Sequence, residues 1–256
     1  MSKTSQLLGL ALEVRPLGSL IRDVDLAIQD RSGPIVFACA NPHSLVVAQR
    51  DPAFREALAR ATFLVADGVG LSIGARLAGL PAGPRITGTD FFTAVMTRLE
   101  ARAGRVFFFG STDAVLDLVR QHLRKEFPRV TVCGALSPPF RALTAQESTA
   151  YCARMNAAQP DVLWVGMTAP KQEKWVEQHR AALCAPVIGS IGAVFDYYAG
   201  TIRRAPVWVC RAGFEWLYRL IGEPRRLWQR NLLSTPHFIV LVLRQRVLQI
   251  GRGVPR

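Results

Sequence analysis

Six short apolar runs, separated by segments of helix length, constrain the fold of this chain more than any other feature. The runs lie at residues 35–39, 63–66, 106–109, 130–133, 162–165 and 187–191. Helix-length segments lie between most of them, at 44–60, 70–79, 90–102, 113–127, 145–157 and 171–183. Strands that alternate with helices predict an α/β body with a largely parallel sheet and helices on both faces. We expect this body, as one domain or two lobes, to occupy residues 1–202.

The composition changes after residue 202. Residues 203–256 contain eleven arginines, no lysine and two acidic residues, which gives this segment +9 of the formal charge of +13. Tryptophan, tyrosine and leucine are interleaved with these arginines, for example at Trp208, Trp216, Tyr218 and Trp228. This mixture is typical of a helix that lies on an anionic membrane surface or binds phosphates. We therefore expect residues 203–256 to form a helical, Arg-rich, membrane-associating appendage.

Cysteine usage and hydropathy exclude several classes of protein. The five cysteines form no C-x-x-C pair and have no metal-like spacing with the four histidines, so we interpret them as reduced residues of a cytosolic protein and expect neither a metal nor a cofactor. Glu13 and Arg15 interrupt any signal-peptide apolar stretch. The apolar run at 238–243 is far shorter than the roughly 20 residues of a spanning helix. We predict neither export nor a transmembrane helix.

Two polar residues follow the first two apolar runs. Asp67 comes directly after the run at 63–66 and precedes Gly68, which lets backbone approach a ligand. A partly desolvated carboxylate there would have a raised pKa and could take a proton from an attacking hydroxyl, or it could simply cap the following helix. Asn41 could bind a ligand hydroxyl or acetamido group, or be an ordinary turn residue. We expect the two residues to lie level on neighbouring strands.

The loop that contains Arg85, Thr87 and Gly88 leads into the helix predicted near Asp90. A guanidinium beside backbone N–H groups and the positive end of a helix suits a diphosphate. Asp90 is interpreted as an N-cap rather than a catalyst.

Three further candidates follow the later runs. Gly110 belongs to half of a dinucleotide-binding fingerprint, and Gly192 could admit a nucleotide base or ribose. Gln172 lies in the first turn of a helix, where a polar cluster is also common on a solvated face.

A D-x-D pattern at Asp23 and Asp25 matches the metal-binding motif of many glycosyltransferases. It precedes the first strand, in a segment at 20–28 that reads as helical, and residues i and i+2 of a helix do not face each other. We therefore do not expect a metal site there.

Taken in order, these motifs resemble the WecG/TagA/CpsF family of bacterial glycosyltransferases, also called glycosyltransferase family 26. The resemblance extends from about residue 35 to residue 230. It is carried by Asn41, Asp67-Gly68-Val69-Gly70, Arg85-Ile86-Thr87-Gly88, Pro170-Lys171-Gln172-Glu173, Phe195-Asp196, Arg204-Ala205-Pro206 and 215–220.

The resemblance implies a Rossmann-like body with a C-terminal appendage that docks at the inner face of the cytoplasmic membrane. It also implies metal-independent transfer from a UDP-sugar to a polyprenyl-diphosphate-linked saccharide in cell-surface polysaccharide biosynthesis. A base that deprotonates the acceptor hydroxyl as it attacks the anomeric carbon predicts a single displacement with inversion. If matching positions have the roles they have in the family, Asp67 is the catalytic base and Asn41 and Gln172 lie near the sugar. Arg85 then lies near the diphosphate or acceptor. Phosphate-binding arginines of the appendage correspond to Arg219, Arg226 and the adjacent Arg225.

The identity of the donor sugar stays open. Cys39 stands where the family often has threonine, and Thr168 replaces a common glycine. N-acetylmannosamine, N-acetylmannosaminuronic acid, glucose and glucuronic acid all remain candidates, as does a homo-oligomeric assembly.

Two other functional classes remain. A non-enzymatic nucleic-acid or membrane-binding protein would fit the sequence pI of 10.5, although interleaved tryptophan and leucine favour a membrane over nucleic acid. A different nucleotide-sugar transferase with a lipid-phosphate acceptor would release UMP instead of UDP.

Overall fold

The computed structural model describes residues 4–202, 205–206, 208–209, 215–222, 228 and 233–251. Within these residues, six parallel strands form one sheet in the order β4-β3-β8-β7-β5-β6. The strands are β3 (Ile35–Ala40), β4 (Phe63–Ala66), β5 (Arg105–Gly110), β6 (Thr131–Leu136), β7 (Val162–Gly166) and β8 (Val187–Ser190). Each predicted run forms a strand, and the predicted α/β fold class is confirmed.

Helices cover both faces of this sheet. Those of the body are α1 (Leu17–Asp30), α2 (Pro42–Ala48), α3 (Pro52–Ala59), α4 (Val69–Leu77), α5 (Gly88–Arg102), α6 (Asp113–Glu126), α7 (Ala145–Ala157), α8 (Lys171–His179) and α9 (Val194–Ala199). A separate antiparallel hairpin, β1 (Thr4–Leu7) and β2 (Leu10–Glu13), precedes them. This hairpin was not predicted from the sequence.

Side chains of successive strand residues point to opposite faces of the sheet, so the core is divided between the two faces. On one face, Phe37 of β3 stacks on Phe91 of α5 with ring centroids 3.8 Å apart, and α1, α6 and α9 pack on the same side. On the other face, Phe109 of β5 packs against Trp175 of α8 with centroids 4.6 Å apart. The sheet is therefore sealed on both sides, and its strand ends remain available for ligands.

The predicted helix at 44–60 is wrong, because the chain forms α2 and α3 instead. The Asp51 carboxylate accepts a hydrogen bond from the Phe54 N–H at 3.0 Å and caps α3. Pro52 then occupies the first turn of α3, where its missing N–H costs nothing. The Asp-Pro pair is a helix-start signal inside a segment that looks continuously helical.

The D-x-D carboxylates lie on α1, as expected for a helical segment. Arg15 pairs with Asp23 at 2.8 Å, and Arg98 and Arg102 pair with Asp25 at 2.7 and 3.1 Å. In the described parts of the chain, no group of three or more His, Cys, Asp and Glu side chains is arranged to hold a metal.

The described C-terminal region contains helices α10 (Glu215–Gly222) and α11 (Ser234–Gly251). Phe238 and Val242 of α11 are buried against α4, where Gly74 gives them room. The Gln245 side chain also accepts a hydrogen bond from the Leu8 N–H at 2.7 Å. Helix α11 is thus attached to both α4 and the N-terminal hairpin. None of the described helices has the length and apolar character needed to cross a bilayer.

Candidate active site

A cavity of about 570 Å³ opens at the carboxyl ends of the parallel strands. Open α/β sheets bind ligands at this edge. Six residues predicted from the sequence line the cavity, and they come from five distant parts of the chain. They are Asn41, Asp67, Thr87, Gly88, Gln172 and Gly192.

Several helices begin at the cavity wall. The lining includes Thr87 and Gly88 at the start of α5, Thr112 at the start of α6, Lys171 at the start of α8 and Ala193 before α9. The first turns of helices carry unpaired backbone N–H groups and the positive end of the helix dipole. Their convergence favours an anionic ligand such as a diphosphate.

Asn41 ends β3 and caps α2 at the same time. Its Oδ1 accepts a hydrogen bond from the Ser44 N–H at 3.1 Å, and its own N–H donates to Ser44 Oγ at 2.7 Å. Its Nδ2 donates no hydrogen bond to any other described part of the chain, although the residue lines the cavity. Asn41 therefore combines the structural role with a donor group at the site.

Asp67 lies level with Asn41, as predicted. Ala40 and Ala66 are register partners on β3 and β4, and the Asp67 N–H donates to the Ala40 carbonyl oxygen at 2.7 Å. Helix α4 has Gly68 as its N-cap, with φ of +88° and no side-chain cap. Capping of α4 is therefore not the role of the Asp67 carboxylate, and Gly68 supplies a turn that other residues rarely adopt.

Thr87 is the N-cap of α5, and the expectation that Asp90 is the N-cap is wrong. The Thr87 hydroxyl accepts from the Asp90 N–H at 3.1 Å, while Asp90 Oδ2 accepts from the Thr87 N–H at 2.9 Å. Asp90 is thus the third-position partner of a capping box. Arg85 lies two residues earlier in the same loop, outside the cavity lining.

The first turn of α8 brings a buried amide and a buried carboxyl to the cavity. Gln172 and Glu173 are each only 5% exposed, and Gln172 Nε2 donates to Glu173 Oε1 at 2.8 Å. Burial raises the pKa of Glu173 to about 7, because desolvation disfavours the charged form. Glu173 is a site residue whose role was not predicted from the sequence.

The cavity lining also includes Cys39 and Ser190, both at strand ends. Burial, followed by the negative charges of Asp67, Glu173 and Asp90, raises the pKa of the Cys39 thiol. The thiol therefore stays protonated. The Ser190 hydroxyl is buried and has no hydrogen-bond partner among the described residues.

The other predicted glycines have distinct positions. Gly110 ends β5 with φ of +129°, and an added Cβ would collide with the Gly166 backbone, so close strand packing requires glycine here. Its successor Ser111 lines the cavity. Gly192 lines the cavity itself, with φ of +55°.

The predicted phosphate-binding arginines cannot be placed. Arg219 belongs to α10, but its side chain lies outside the described part of the structure, as do Arg225 and Arg226 altogether.

Comparison with known proteins identifies the family of the chain. Residues 5–252 match the profile described as the glycosyl transferase WecG/TagA/CpsF family. Relatives named N-acetylglucosaminyldiphosphoundecaprenol N-acetyl-beta-D-mannosaminyltransferase occur in Bacillus spizizenii (28% identity, 89% of this chain and 86% of the relative) and Bacillus subtilis (29%, 82% and 79%). One from Staphylococcus aureus is 25% identical over 81% of this chain and 79% of its own length. The chain belongs to the WecG/TagA/CpsF family of glycosyltransferases.

Proposed function

We propose that this enzyme transfers a sugar of the N-acetylmannosamine type from its UDP derivative to a polyprenyl-diphosphate-linked saccharide. The observation that carries the proposal is the cavity, where a carboxylate at a strand end and several helix N-termini meet. The names of the relatives support the choice of sugar and of lipid-linked acceptor. The product would serve the biosynthesis of a cell-envelope polysaccharide.

In the proposed reaction, Asp67 is the general base. Its carboxylate accepts the proton of an acceptor hydroxyl while that oxygen attacks the anomeric carbon of the donor. The bond between the anomeric carbon and the diphosphate oxygen breaks, and its electron pair leaves with UDP. A single displacement inverts the anomeric centre, so a donor of α configuration gives the β-linked product specified in the relatives' names.

The departing diphosphate gains negative charge that the site must stabilise. We assign this role to the first turns of α5, α6 and α8, which reach the cavity. Arg85, in the loop before α5 but outside the cavity lining, is the candidate arginine of the body. Fixed N–H dipoles in a partly enclosed site stabilise such charge more strongly than water does. The proposed chemistry uses no metal ion, which is a testable part of the proposal.

The C-terminal region would bring the enzyme to the inner face of the cytoplasmic membrane, where a polyprenyl acceptor is held. Tryptophan and aliphatic side chains interleaved with arginine favour the interface of an anionic bilayer. In the described residues of this region, the large exposed apolar side chains include Trp208, Trp216, Leu217, Ile221, Trp228, Leu243, Val247 and Leu248.

The test is UDP release by the full chain with UDP-N-acetylmannosamine, with and without detergent-dispersed N-acetylglucosaminyl-diphospho-undecaprenol. Parallel reactions with UDP-glucose, UDP-glucuronic acid and UDP-N-acetylmannosaminuronic acid identify the donor. We expect acceptor-dependent UDP release that persists in EDTA and produces a β linkage. Release of UMP, or loss of activity in EDTA that added Mg²⁺ restores, would contradict the proposed reaction.

A further inference from the structure

The strongest unexplained feature of the cavity is the pair formed by Gln172 and Glu173. Both side chains are more than nine-tenths buried, although buried glutamate is uncommon unless it is paired. Gln172 Nε2 donates to Glu173 Oε1, and within the described residues the second carboxyl oxygen has no partner. The pair is therefore not accounted for by the stability of the fold.

Glu173 determines which end of the Gln172 amide is free. Glu173 Oε1 accepts a hydrogen bond from the NH₂ end of the amide, so the carbonyl end is turned away from Glu173. That carbonyl oxygen, Gln172 Oε1, is buried and has no hydrogen-bond partner in the described residues. Buried acceptors without a partner are rare in folded proteins, and each one indicates a missing ligand, water or functional role.

The space above Gly192 lies beside this oxygen. A Cβ atom placed on Gly192 would be 3.6 Å from both Oε1 and Nε2 of Gln172 and 3.7 Å from the Met167 carbonyl oxygen. Gly192, Met167 and Gln172 all line the cavity. A ligand group above Gly192 would therefore meet two carbonyl oxygens and the amide nitrogen of Gln172. Because that nitrogen already donates to Glu173, the unpartnered atom of the amide is its carbonyl oxygen, and carbonyl oxygens accept but never donate. The pocket favours a group that carries O–H or N–H donors.

We propose that Glu173 is a positioning residue that orients the Gln172 amide so that the Gln172 and Met167 carbonyl oxygens bind a hydroxyl or amide N–H of the UDP-sugar above Gly192. This inference rests on the proposed function, because it names how the same cavity recognises its donor. The hydroxyl or N–H that the two carbonyl oxygens bind belongs either to the sugar or to the ribose of the nucleotide.

The test is a double-mutant cycle that measures binding without the acceptor. Calorimetry gives the Kd of UDP-N-acetylmannosamine for the wild-type chain, Gln172→Ala, Glu173→Leu and the double variant. If Glu173 acts through Gln172, each single substitution weakens binding about tenfold and the double variant is no weaker than Gln172→Ala alone. If the two effects multiply to about a hundredfold, Glu173 acts independently of Gln172 and the inference is wrong.

Further variants separate orientation from folding. Glu173→Gln keeps an oxygen that can accept from Gln172 Nε2, so we expect it to recover binding to within about threefold of wild type. Glu177→Gln is the matched control on the same helix, where Glu177 pairs with Arg60 and Arg180. It should leave the Kd unchanged. Equal weakening by Glu173→Gln and Glu173→Leu would contradict the positioning role.

UDP alone identifies the source of the recognised group. If Glu173→Leu weakens UDP as much as the UDP-sugar, the contact is with the ribose, and if UDP binding is unchanged, the contact is with the sugar. A wild-type chain that binds the UDP-sugar but transfers nothing contradicts the proposed function, while the cycle still tests the inference. A wild-type chain that binds no UDP-sugar contradicts both.

Discussion

The two ends of the parallel sheet treat their polar groups in opposite ways. At the amino end, Asp161 accepts from the Arg105 N–H at 2.8 Å and pairs with Arg31 at 3.4 Å, and Glu100 accepts from the Arg129 N–H at 2.9 Å. At the carboxyl end, buried oxygens of Gln172, Glu173 and Ser190 have no partner among the described residues.

This difference separates polar groups that stabilise the fold from groups suited to a ligand. Satisfied polar contacts at the amino end connect strands and loops, and they leave nothing for a substrate to bind. An unsatisfied buried polar group costs about 1–3 kcal/mol, so three such groups at one edge are a local reduction in stability. Functional sites commonly contain such destabilising features.

The largest expected effect concerns the carboxyl end. Asp67→Asn removes the proposed base but keeps the shape of the side chain. We expect the transfer rate to fall by about 10²–10⁴-fold, the usual contribution of general-base catalysis, with little change in the Kd of the donor. Steady-state UDP release and calorimetry measure the two quantities. Asp117→Asn, at an exposed position of α6 outside the cavity lining, is the control, and an unchanged rate in Asp67→Asn would remove Asp67 from the mechanism.

Glu173→Gln should stabilise the fold at high pH. The pKa of Glu173 is raised from 4.5 to about 7 in the folded chain, which therefore binds more protons than the unfolded chain between these values. The contribution of Glu173 to stability is largest below pH 4.5 and falls as the pH rises through 7. Glu173→Gln removes this loss. The free energy of unfolding of the variant minus that of wild type should therefore be about 3 kcal/mol larger at pH 8 than at pH 4.5.

Urea unfolding of both proteins across this pH range measures the difference. Glu177→Gln, whose side chain is paired, provides the control for a charge change on α8. A constant difference between wild type and Glu173→Gln from pH 4.5 to 8 would show that the carboxyl is not destabilised by burial.

At the amino end of the sheet, a substitution should lower stability without changing the affinity for the UDP-sugar. Asp161→Ala removes the acceptor for the Arg105 N–H and the partner of Arg31, so we expect a loss of about 1–2 kcal/mol in the free energy of unfolding. The donor Kd should stay at the wild-type value because Asp161 does not line the cavity. Asp161→Asn keeps an acceptor oxygen and should recover part of the loss. A weaker donor Kd in Asp161→Ala would break the distinction between the two ends.

The smallest expected effect concerns Asn41, which both caps α2 and lines the cavity. Asn41→Ala should cost about 1 kcal/mol of stability through loss of the α2 cap and should also weaken donor binding. Asn41→Asp keeps the capping oxygen but loses the Nδ2 donors, so it should weaken binding alone. Thr144→Ala removes the equivalent cap of α7 and is the control. Equal donor affinity of wild type and Asn41→Asp would assign Asn41 to capping only.

Much of the fold could be predicted because buried parallel strands leave a strong local signal. Most of the six apolar runs, such as the one in β7 (Val162–Gly166), became strands that are buried on both faces, whereas the edge strand β6 is only half-buried. The hairpin β1–β2 was missed because its two four-residue strands resemble many exposed segments. The break between α2 and α3 had a signal in Asp51 and Pro52, which the apolar pattern of the segment obscured.

The site was predictable where a polar residue directly follows a strand. Asn41 and Asp67 satisfy this rule, and the parallel register brings them level. The burial of Glu173 could not be predicted, because it depends on how α8 packs against the sheet. A carboxyl in a first helical turn is ordinarily exposed, and only the three-dimensional structure reveals that this one is enclosed beside Gln172.

The most direct test of the central claim is hydrogen–deuterium exchange of the full chain with and without saturating UDP. If the carboxyl end of the sheet is the nucleotide site, UDP should slow exchange in the first turns of α5, α6, α8 and α9, at 88–91, 113–116, 171–174 and 194–197. Exchange around Asp161 and Glu100 at the amino end should not change. Protection at the amino end, or no protection at these helix starts under conditions where UDP binds, would contradict the account.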